Sequence, residues 1–319
     1  MIITLTANPS LDRTASLDAP LARGQVQRVS GVTVEPGGKG VNVARAIHYA
    51  GQPVRAVLPA PDDDPILSAL RQLGVDYRTV AVDEGVRMNL TLTEPDGTTT
   101  KLNEPGPLLS DELIEALASL VVSEASGAEW VVLSGSLPPG VPANFYATLV
   151  RRLRPLGVKV AVDTSDDPLQ ALVDEFPDAA PDLLKPNSDE LAQLTGANAE
   201  QLEAAAKQGD PSAAVDAARS LVERGVTAVM GTLGASGAVL VTAEGAWHAS
   251  PPPIVPRSTV GAGDSSVAGY VLADCGGEAA PGRLRTAVAY GSAAASMAGS
   301  ALPMPEHLNT ADVVITDLG

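Results

Sequence analysis

The octapeptide Thr259-Val260-Gly261-Ala262-Gly263-Asp264-Ser265-Ser266 carries the clearest chemical signal in this sequence of 319 residues. An apolar run, VAGYVL, follows it at once, so glycines and other small residues stand where a helix is predicted to begin. Backbone N–H groups at a helix N-terminus converge on an oxygen anion, and the helix dipole favours negative charge there. Asp264 is therefore suited to accept a proton from an attacking hydroxyl, and the alternative is that it only caps the helix.

Two other phosphate-binding motifs, the Walker A loop and the Rossmann fingerprint, do not match the sequence. A Walker A loop requires G-x-x-x-x-G-K-[ST], but Gly38-Lys39 is followed by Gly40 and lacks the earlier glycine. A Rossmann fingerprint would need a third glycine where Ser266 stands, and it would follow the first strand rather than lie late in the chain. The sequence thus excludes a P-loop and gives little support to a dinucleotide site.

Outward from this stretch, short apolar runs alternate with amphipathic segments along most of the chain. Ile2 to Thr6, Trp130 to Leu133 and Val158 to Asp163 are typical strands, and Pro142 to Leu156, closed by Gly157, is typical of a helix. Such alternation predicts β-α-β units around a mainly parallel sheet. The sequence therefore predicts an α/β fold.

One part of the chain breaks this alternation. Leu17 to Glu35 and Arg87 to Leu102 are rich in Val, Thr and Leu with polar residues between them, and the second contains the turn Pro95-Asp96-Gly97. This pattern is typical of antiparallel strands. It predicts a small β lid over the larger domain, and an ordinary edge hairpin without a function is the alternative.

The composition excludes several classes of function. A formal net charge of −17 argues against general binding to nucleic acid or to an anionic membrane, because both need clustered Lys and Arg. A single Cys, Cys275, and three scattered His offer neither a disulfide nor zinc-ligand spacing. We expect a cytoplasmic protein with no signal peptide and no membrane segment, in which local basic residues meet any anionic substrate.

Three further segments are suited to binding polar or anionic ligands. PGGKGVNVAR, from Pro36 to Arg45, places a Lys and an Asn at a glycine-rich turn before a helix, and Asp12 in NPSLD could bind sugar hydroxyls. KPNSDE, from Lys185 to Glu190, could hold a hydrated Mg²⁺ through oxygen ligands. GTLGASG, from Gly231 to Gly237, could face phosphates. The alternatives are a tight turn, a capping box and a hairpin turn.

The order of these motifs carries more information than any one of them. NPSLD, PGGKGVNVARA, SGSLPPG at Ser134 to Gly140, KPNSDE, GTLGASG and VGAGDS together resemble the ribokinase-like sugar kinases, the pfkB family, over essentially the whole chain. Within that family, GGKGVNVAR, VRMNLTL around Arg87 and LNEPGP at Leu102 to Pro107 are most similar to the 1-phosphofructokinases of the hexose-phosphate branch. Tagatose-6-phosphate kinases and the minor 6-phosphofructokinases share much of this pattern.

The resemblance implies a ribokinase-like three-layer α/β/α fold with a mainly parallel sheet and a small β-sheet lid. The kinase core would comprise residues 1–11, 37–85 and 105–319, and the lid residues 12–36 and 86–104. Lids of this kind often pair, so the resemblance also implies a homodimer formed through the lid. ATP and Mg²⁺ are the implied cofactors, and the implied reaction converts fructose 1-phosphate to fructose 1,6-bisphosphate.

The resemblance also implies roles for individual residues. Asp264 is then the catalytic base, and the amides of Gly261, Ala262 and Gly263 receive the transferred phosphoryl group. The ATP side is formed by Lys185, Asn187, Thr232, Gly234, Gly237 and Thr259, with Asn187 and Glu190 organising Mg²⁺. The acceptor sugar is held by Asp12, Gly38, Lys39, Asn42 and Ser136, and the candidates for its existing phosphate are Arg28, Arg87 and, by position only, Lys101.

The acidic, proline-rich loop from Pro59 to Pro65 departs from the family, whose members usually carry a glycine-rich turn there. This departure puts the geometry on the sugar side in question. Three other functions stay open: the same chemistry on fructose 6-phosphate or tagatose 6-phosphate, a nucleoside or unphosphorylated-sugar kinase, and a catalytically silent sugar-phosphate sensor.

Overall fold

All 319 residues of the chain are described by a computed structural model, in which fourteen strands and ten α-helices follow one another. The strands are β1 Ile2–Thr6, β2 Ser10–Ser16, β3 Gly31–Gly37, β4 Val54–Pro59, β5 Asp76–Val80, β6 Arg87–Thr93, β7 Thr99–Asn103, β8 Trp130–Ser134, β9 Lys159–Asp163, β10 Leu183–Leu184, β11 Ala228–Thr232, β12 Ala238–Thr242, β13 Gly245–Ser250 and β14 Val314–Asp317. The helices are α1 Lys39–Tyr49, α2 Pro65–Leu73, α3 Asp111–Glu124, α4 Phe145–Leu153, α5 Asp166–Asp174, α6 Ser188–Thr195, α7 Ala199–Lys207, α8 Ser212–Val222, α9 Ala262–Cys275 and α10 Ala280–Ala295.

Ten strands form one large sheet in the order β14-β13-β12-β11-β10-β9-β8-β1-β4-β5. Every neighbouring pair from β5 to β11 is parallel, and the three pairs from β11 to β14 are antiparallel. The predicted mainly parallel sheet is therefore confirmed. Since the carboxyl ends of parallel strands meet at one edge, the loops that follow them can build a common site there.

The large sheet separates two apolar cores. In β1, Ile3 and Leu5 pack into the core formed with α3 to α8, whereas Ile2 faces the core formed with α1, α2, α9 and α10. The same alternation holds in β8, where Val131 and Val132 enter different cores. A strand that is covered on both faces reads as a continuous apolar run, as β1 and β8 do. The predicted three-layer α/β/α arrangement is confirmed.

A second sheet of four strands has the order β3-β2-β6-β7. β2 pairs with β3, and β6 with β7, in antiparallel fashion, but β2 and β6 are parallel. The prediction of antiparallel strands was thus wrong for the central pair. β2 and β6 belong to separate excursions from the core that leave it in the same direction, and hydrophobic alternation does not report how two hairpins are joined.

The extent of the first lid segment also differs from the prediction. Its strands lie at residues 10–16 and 31–37, and residues 17–30 contain no strand, although the whole of Leu17 to Glu35 was predicted as strands. This intervening stretch contains Pro20, Gly24 and several charged or amide residues, which disfavour a strand. The division into core and lid domains stays a prediction.

The helices end close to where the sequence signals place them. The helix predicted for Pro142 to Leu156 is α4 followed by a short 3-10 turn at Arg154–Leu156, and Gly157 ends it with a φ of +67°. Pro155 explains the change of helix type, since it cannot donate the backbone hydrogen bond that a continuing α-helix would need. None of the helices combines the length and the apolar character required to cross a membrane.

Candidate active site

The glycine-rich segment before α9 turns sharply into the helix. Gly261 has a φ of +76°, a left-handed conformation that residues with a Cβ rarely adopt. The N–H groups of Gly261, Gly263 and Asp264 donate to no protein acceptor, whereas that of Ala262 makes a long bond of 3.4 Å to the carbonyl of Thr259. Free amides at a helix N-terminus are suited to bind an anion. Two of the three predicted amides are therefore free, and the amide of Asp264 is a third.

The side chain of Asp264 lies in the interior, with only 6% of its surface exposed. Its Oδ2 accepts a hydrogen bond of 2.9 Å from Nδ2 of Asn42 in α1. A Cβ on Gly263 would lie 3.5 Å from Nζ of Lys185, so the start of α9 stands directly beside the end of β10. The structure thus brings together four of the predicted site residues from three separate motifs.

Helix α1 supplies Asn42 and, one turn earlier, Lys39, because it packs very closely against β1. A Cβ on Gly40 would clash with the carbonyl oxygen of Leu5, and Gly38, the residue before the helix, has a φ of +103°. The glycines of GGKG therefore do more than form a turn, because they allow the helix to approach the sheet. This approach places Lys39 and Asn42 at the carboxyl edge of the sheet.

Asp163 is the most important site residue that the sequence analysis missed. It ends β9 and is 1% exposed. Its Oδ1 accepts a hydrogen bond from Nζ of Lys39 at 3.1 Å and forms an ion pair with Nζ of Lys185 at 3.2 Å. The sequence did contain a signal, because a carboxylate follows the apolar run VKVAV at the end of a predicted parallel strand, where ligands bind in open α/β sheets. Asp163 therefore joins Lys39, predicted for the acceptor side, to Lys185, predicted for the ATP side.

Burial and the neighbouring charges set different pKa values for these groups. Burial raises the pKa of the Asp264 carboxyl to about 6, the charge of Asp163 adds to the rise, and Lys39 opposes it. Burial alone would raise the pKa of Asp163, but Lys185 and Lys39 outweigh it and lower that pKa. Burial alone would lower the pKa of Lys39, and the carboxylates of Asp163 and Asp264 raise it instead. Asp264 is thus poised to accept a proton near neutral pH, while Asp163 stays ionised.

A cavity of about 500 Å³ lies on the predicted acceptor side and is bordered by Asn8, Arg87, Ser136 and Asp167, among others. Nη2 of Arg87 approaches Oγ of Ser136 at 3.4 Å, so the structure brings these two predicted residues together. Gly135, next to Ser136, lies against Lys39, since a Cβ on it would be 3.8 Å from that of Lys39. This chain of contacts connects the cavity with the lysine and carboxylate cluster.

Arg87 also borders a second cavity, of about 240 Å³, that is formed by residues 84–87 and 104–107. Its Nη1 donates to the carbonyl of Glu104 at 3.1 Å, and its Nε is buried without an acceptor. Burial lowers the pKa of the Arg87 guanidinium, against the raising effect of Asp12 and Glu104. A cation with an unused buried donor, standing between two cavities, is suited to bind an anionic group.

Asn8 had no predicted role, although it is the first residue of NPSLD. It is 4% exposed, and its Nδ2 donates to the carbonyl of Pro105 at 3.0 Å and, more weakly, to Oγ of Ser136 at 3.4 Å. The side chain thus ties the end of the first strand to the segment that leaves the small sheet.

Asp12 projects from β2 toward the glycine-rich turn before α1. Its Oδ1 accepts from Oγ of Ser10 at 2.8 Å and from Nδ2 of Asn89 at 2.9 Å. A Cβ on Gly37 would clash with the Asp12 carboxylate, so the glycine gives the side chain access to this position. Asp12 therefore lies at the boundary between the small sheet and the core.

Apart from Thr259, the predicted ATP-side residues lie at or after the carboxyl ends of β10 and β11. The N–H of Thr232 donates to the carbonyl of Pro186 at 2.9 Å, and Asn187 forms a parallel bridge with Thr232, so KPNSDE and GTLGASG are neighbours. Gly237 has a φ of +91°, and a Cβ there would clash with the carbonyl oxygen of Ala249. The hairpin turn left open by the sequence is present between β11 and β12. Gly234 and Thr259 are exposed.

Asn187 and Glu190 form a capping box at the start of α6. Oδ1 of Asn187 accepts from the N–H of Glu190, and Oε2 of Glu190 accepts from the N–H of Asn187, both at 2.8 Å. The capping box that the sequence left open as an alternative is therefore present, and the predicted metal role of the two residues stays a prediction.

The side chains near α6 provide few ligands for a magnesium ion. No group of three or more His, Cys, Asp or Glu side chains is arranged to hold a metal ion. Oε1 of Glu190 nevertheless accepts no hydrogen bond, and Oδ2 of Asp163 is buried without a partner. Since Mg²⁺ keeps several waters and needs only one or two carboxylates, Glu190 and Asp163 fit a hydrated ion that is shared with a nucleotide.

Arg28 and Lys101 are not brought to the site by any contact. Both are exposed, Arg28 in the stretch between β2 and β3 and Lys101 in β7. Their predicted role in binding the acceptor's phosphate stays a prediction.

Comparisons with known proteins identify the family of the chain. The chain matches the family described as pfkB family carbohydrate kinase over residues 6–306. It is 36% identical over 274 residues to the 1-phosphofructokinase of Xanthomonas campestris pv. campestris, which covers 85% of this chain and 83% of that protein.

Solved structures extend the likeness to the fold. The structure of phosphofructokinase-2 from Escherichia coli in complex with fructose-6-phosphate superposes with a TM-score of 0.83 at 31% identity, over 94% of this chain and 95% of that one. Arabidopsis thaliana ribokinase complexed with ribose and ATP superposes with a TM-score of 0.71 at 20% identity, over 98% and 96% of the two chains, which is a likeness of fold alone. Because the family match spans nearly the whole chain and the fold is ribokinase-like, this protein belongs to the pfkB family of carbohydrate kinases.

Proposed function

We propose that this protein transfers the γ-phosphoryl group of ATP to the 6-hydroxyl of fructose 1-phosphate and so forms fructose 1,6-bisphosphate. The observation that carries the proposal is the buried Asp264 carboxylate beside the free amides of α9, within a cluster that contains Asn42, Lys39 and Asp163. The 1-phosphofructokinase relative supports this choice of acceptor.

In the proposed reaction, the sugar 6-oxygen forms a bond to the γ-phosphorus as the bond from that phosphorus to the departing ADP oxygen breaks. Asp264 accepts the proton of the attacking hydroxyl, and the amides of Gly261, Gly263 and Asp264 stabilise the negative charge on the transferred group. Lys39 and Lys185 both contact Oδ1 of Asp163, so the cations assigned to the acceptor side and to the ATP side would meet at the reacting phosphoryl group.

The acceptor's existing phosphate would bind at the cavity bordered by Arg87 and Ser136. Arg87 offers a free buried Nε donor there. Asp12, whose charge acts on Arg87, is close enough to that residue to hold sugar hydroxyls. Arg28 and Lys101 would contact that phosphate only if the lid moves, because both side chains are exposed in this structure.

Magnesium would be held through Glu190 and Asp163, each of which has one carboxylate oxygen that accepts no hydrogen bond. When bound with ATP, the ion supplies positive charge to the phosphate oxygens. The lone Cys275 fits a reducing compartment, so we place the reaction in the cytoplasm.

A coupled assay of ADP formation with fructose 1-phosphate, fructose 6-phosphate and tagatose 6-phosphate tests the proposal directly. We expect the highest kcat/KM with fructose 1-phosphate and no turnover with unphosphorylated fructose or a nucleoside. The second candidate is fructose 6-phosphate, which is bound in the superposed Escherichia coli structure. A preference for it would replace the proposed acceptor, and absence of ADP with every sugar would favour a sensor.

We also propose that two copies of the chain pair through the small sheet. Residues in register share one face, so Val34, Arg13, Leu90 and Leu102 form one row across the sheet. Val32, Ala15, Leu92 and Thr100 form the next row, so the face is largely apolar with one exposed charge at Arg13. Val34 and Leu102 are 53% and 56% exposed, whereas the polar face carries Asp12 and Asn89. An apolar face of this kind is better buried by a second copy than left in water.

A further inference from the structure

The acidic loop between β4 and α2 contains one aspartate that behaves differently from its neighbours. Asp62 and Asp63 are exposed, but Asp64 is only 5% exposed. The N–H of Asp64 donates to the carbonyl of Pro61 at 3.1 Å, so the loop turns tightly and directs this third carboxylate inward.

Both oxygens of the Asp64 carboxylate are used, and they serve different elements. Oδ1 accepts from the N–H of Ile66 at 2.9 Å and caps α2. Oδ2 accepts from the N–H of Val86 at 2.9 Å, and Gly85 lies so close that a Cβ on it would be 3.4 Å from that oxygen. Capping α2 would need only one acceptor, and the second bond therefore calls for a separate explanation.

The second bond fixes the residue that precedes Arg87. Arg87 begins β6, and its guanidinium reaches the carbonyl of Glu104 and Oγ of Ser136 from this starting point. The segment before Val86, residues 81–85, contains no regular structure and is almost entirely exposed. The charge-assisted bond to Asp64 is thus the anchor of the connection from which Arg87 projects.

We propose that Asp64 is a positioning residue that acts through Arg87: by holding the N–H of Val86 it sets the place of the Arg87 guanidinium in the cavity for the acceptor's phosphate. The inference rests on the proposed role of Arg87 in binding that phosphate. The aspartate of the unusual loop would then serve the sugar side of the site without touching the sugar.

Asp64→Asn tests the proposal because an asparagine still caps α2 with its one carbonyl oxygen but leaves no second acceptor for Val86. We expect the KM for the preferred sugar phosphate to rise about tenfold, the ratio that corresponds to about 1.4 kcal/mol, with kcat and the KM for ATP within about twofold of the parent. Asp64→Ser, which also retains a capping oxygen, should behave in the same way. Asp62→Asn in the exposed part of the loop is the matched control and should change nothing.

A double-mutant cycle with Arg87→Ala separates this inference from the function on which it rests. If Asp64 acts through Arg87, Asp64→Asn should add no further increase in KM when Arg87 is already Ala. If Arg87→Ala raises the sugar-phosphate KM but Asp64→Asn and Asp64→Ser do not, the inference is wrong and the role of Arg87 stands. If Arg87→Ala itself leaves that KM unchanged, the proposed phosphate site is wrong. A drop in thermal midpoint with equal effects on both substrates would show that Asp64 acts only on stability.

Discussion

Two buried carboxyl groups at the carboxyl edge of the large sheet have pKa values that are shifted in opposite directions. Asp163 is paired with two lysines, which lower its pKa, while Asp264 has one amide partner and a pKa raised to about 6. The difference arises because burial penalises a carboxylate unless opposite charge is in contact with it. One carboxylate therefore organises the cations, and the other is free to take up a proton.

The raised pKa of Asp264 predicts an acidic limb in the pH profile. The base works only when ionised, so kcat/KM should fall about tenfold per pH unit below pH about 6 and level off above it. Steady-state rates from pH 5 to pH 9 with the preferred sugar phosphate check this expectation. A profile that stays flat down to pH 5 would show that Asp264 does not titrate in the catalytic range.

Asp163 is expected to matter for stability as well as for activity. Asp163→Asn removes the one carboxylate in contact with the ammonium of Lys185, which is 5% exposed, and breaking a buried pair in this way costs about 3–5 kcal/mol. Asp216→Asn on the exposed side of α8 is the control and should stay within about 0.5 kcal/mol. Urea denaturation of both variants measures the difference. Equal stability of the two would mean that the lysines do not depend on Asp163.

The sequence was informative about residues that belong to short motifs and less so about single residues. Asp264, Lys39, Asn42 and Lys185 were predicted, and the structure brings them together. Asp163 was missed because an aspartate at the end of a strand has no motif of its own, although its position in a parallel sheet pointed to it. Asn8 was likewise missed, because its contacts are with residues about a hundred positions away.

Among the elements, α1 depends most on a single small residue. It lies on β1 at a distance that only a glycine at position 40 permits, and it carries Lys39 and Asn42 to the site. Helix periodicity predicted this helix, but the closeness of its approach could not be read from the sequence. The parallel pairing of β2 with β6 was also beyond the sequence, because both hairpins share the same alternation.

Gly40→Ala should therefore displace α1. Ala favours helix by about 1 kcal/mol over Gly, but the clash with the Leu5 carbonyl should outweigh this and leave a net loss of about 1–3 kcal/mol. Gly31→Ala, where a Cβ meets nothing within 4 Å, is the control and should have little effect on stability. Thermal unfolding of the pair gives the comparison. A Gly40→Ala protein as stable as Gly31→Ala would show that the helix can shift freely.

At the scale of the whole molecule, the three-layer core and the small sheet differ in how much apolar surface they leave exposed to water. The core buries apolar residues on both faces of its sheet, whereas the small sheet leaves a largely apolar face exposed. The alternation of apolar runs and amphipathic segments correctly predicted a sheet that is covered on both faces. It could not show which face of the small sheet lacks a covering layer, because that depends on how the sheet is attached.

The exposed face predicts that the protein is a dimer in solution. Val34→Asp should give a monomer, because a carboxylate placed in this interface would lose its hydration when the two copies pair. Val314→Asp is the matched control, since Val314 is similarly exposed, at 60%, but lies in the large sheet. Light scattering coupled to size exclusion distinguishes the two states. A Val34→Asp protein that remains dimeric would place the interface elsewhere.

The account rests above all on Asp264 as the group that takes the proton of the sugar hydroxyl. The kcat of Asp264→Asn measures this most directly, and we predict a loss of ~10²-fold or more while the KM values for ATP and sugar phosphate change little. Because Asp264 is buried with a raised pKa, the neutral variant should fold and be more stable at pH 8 by up to about 3 kcal/mol, a gain that disappears as the pH falls toward 4. A folded Asp264→Asn enzyme with a near-normal kcat would contradict the account.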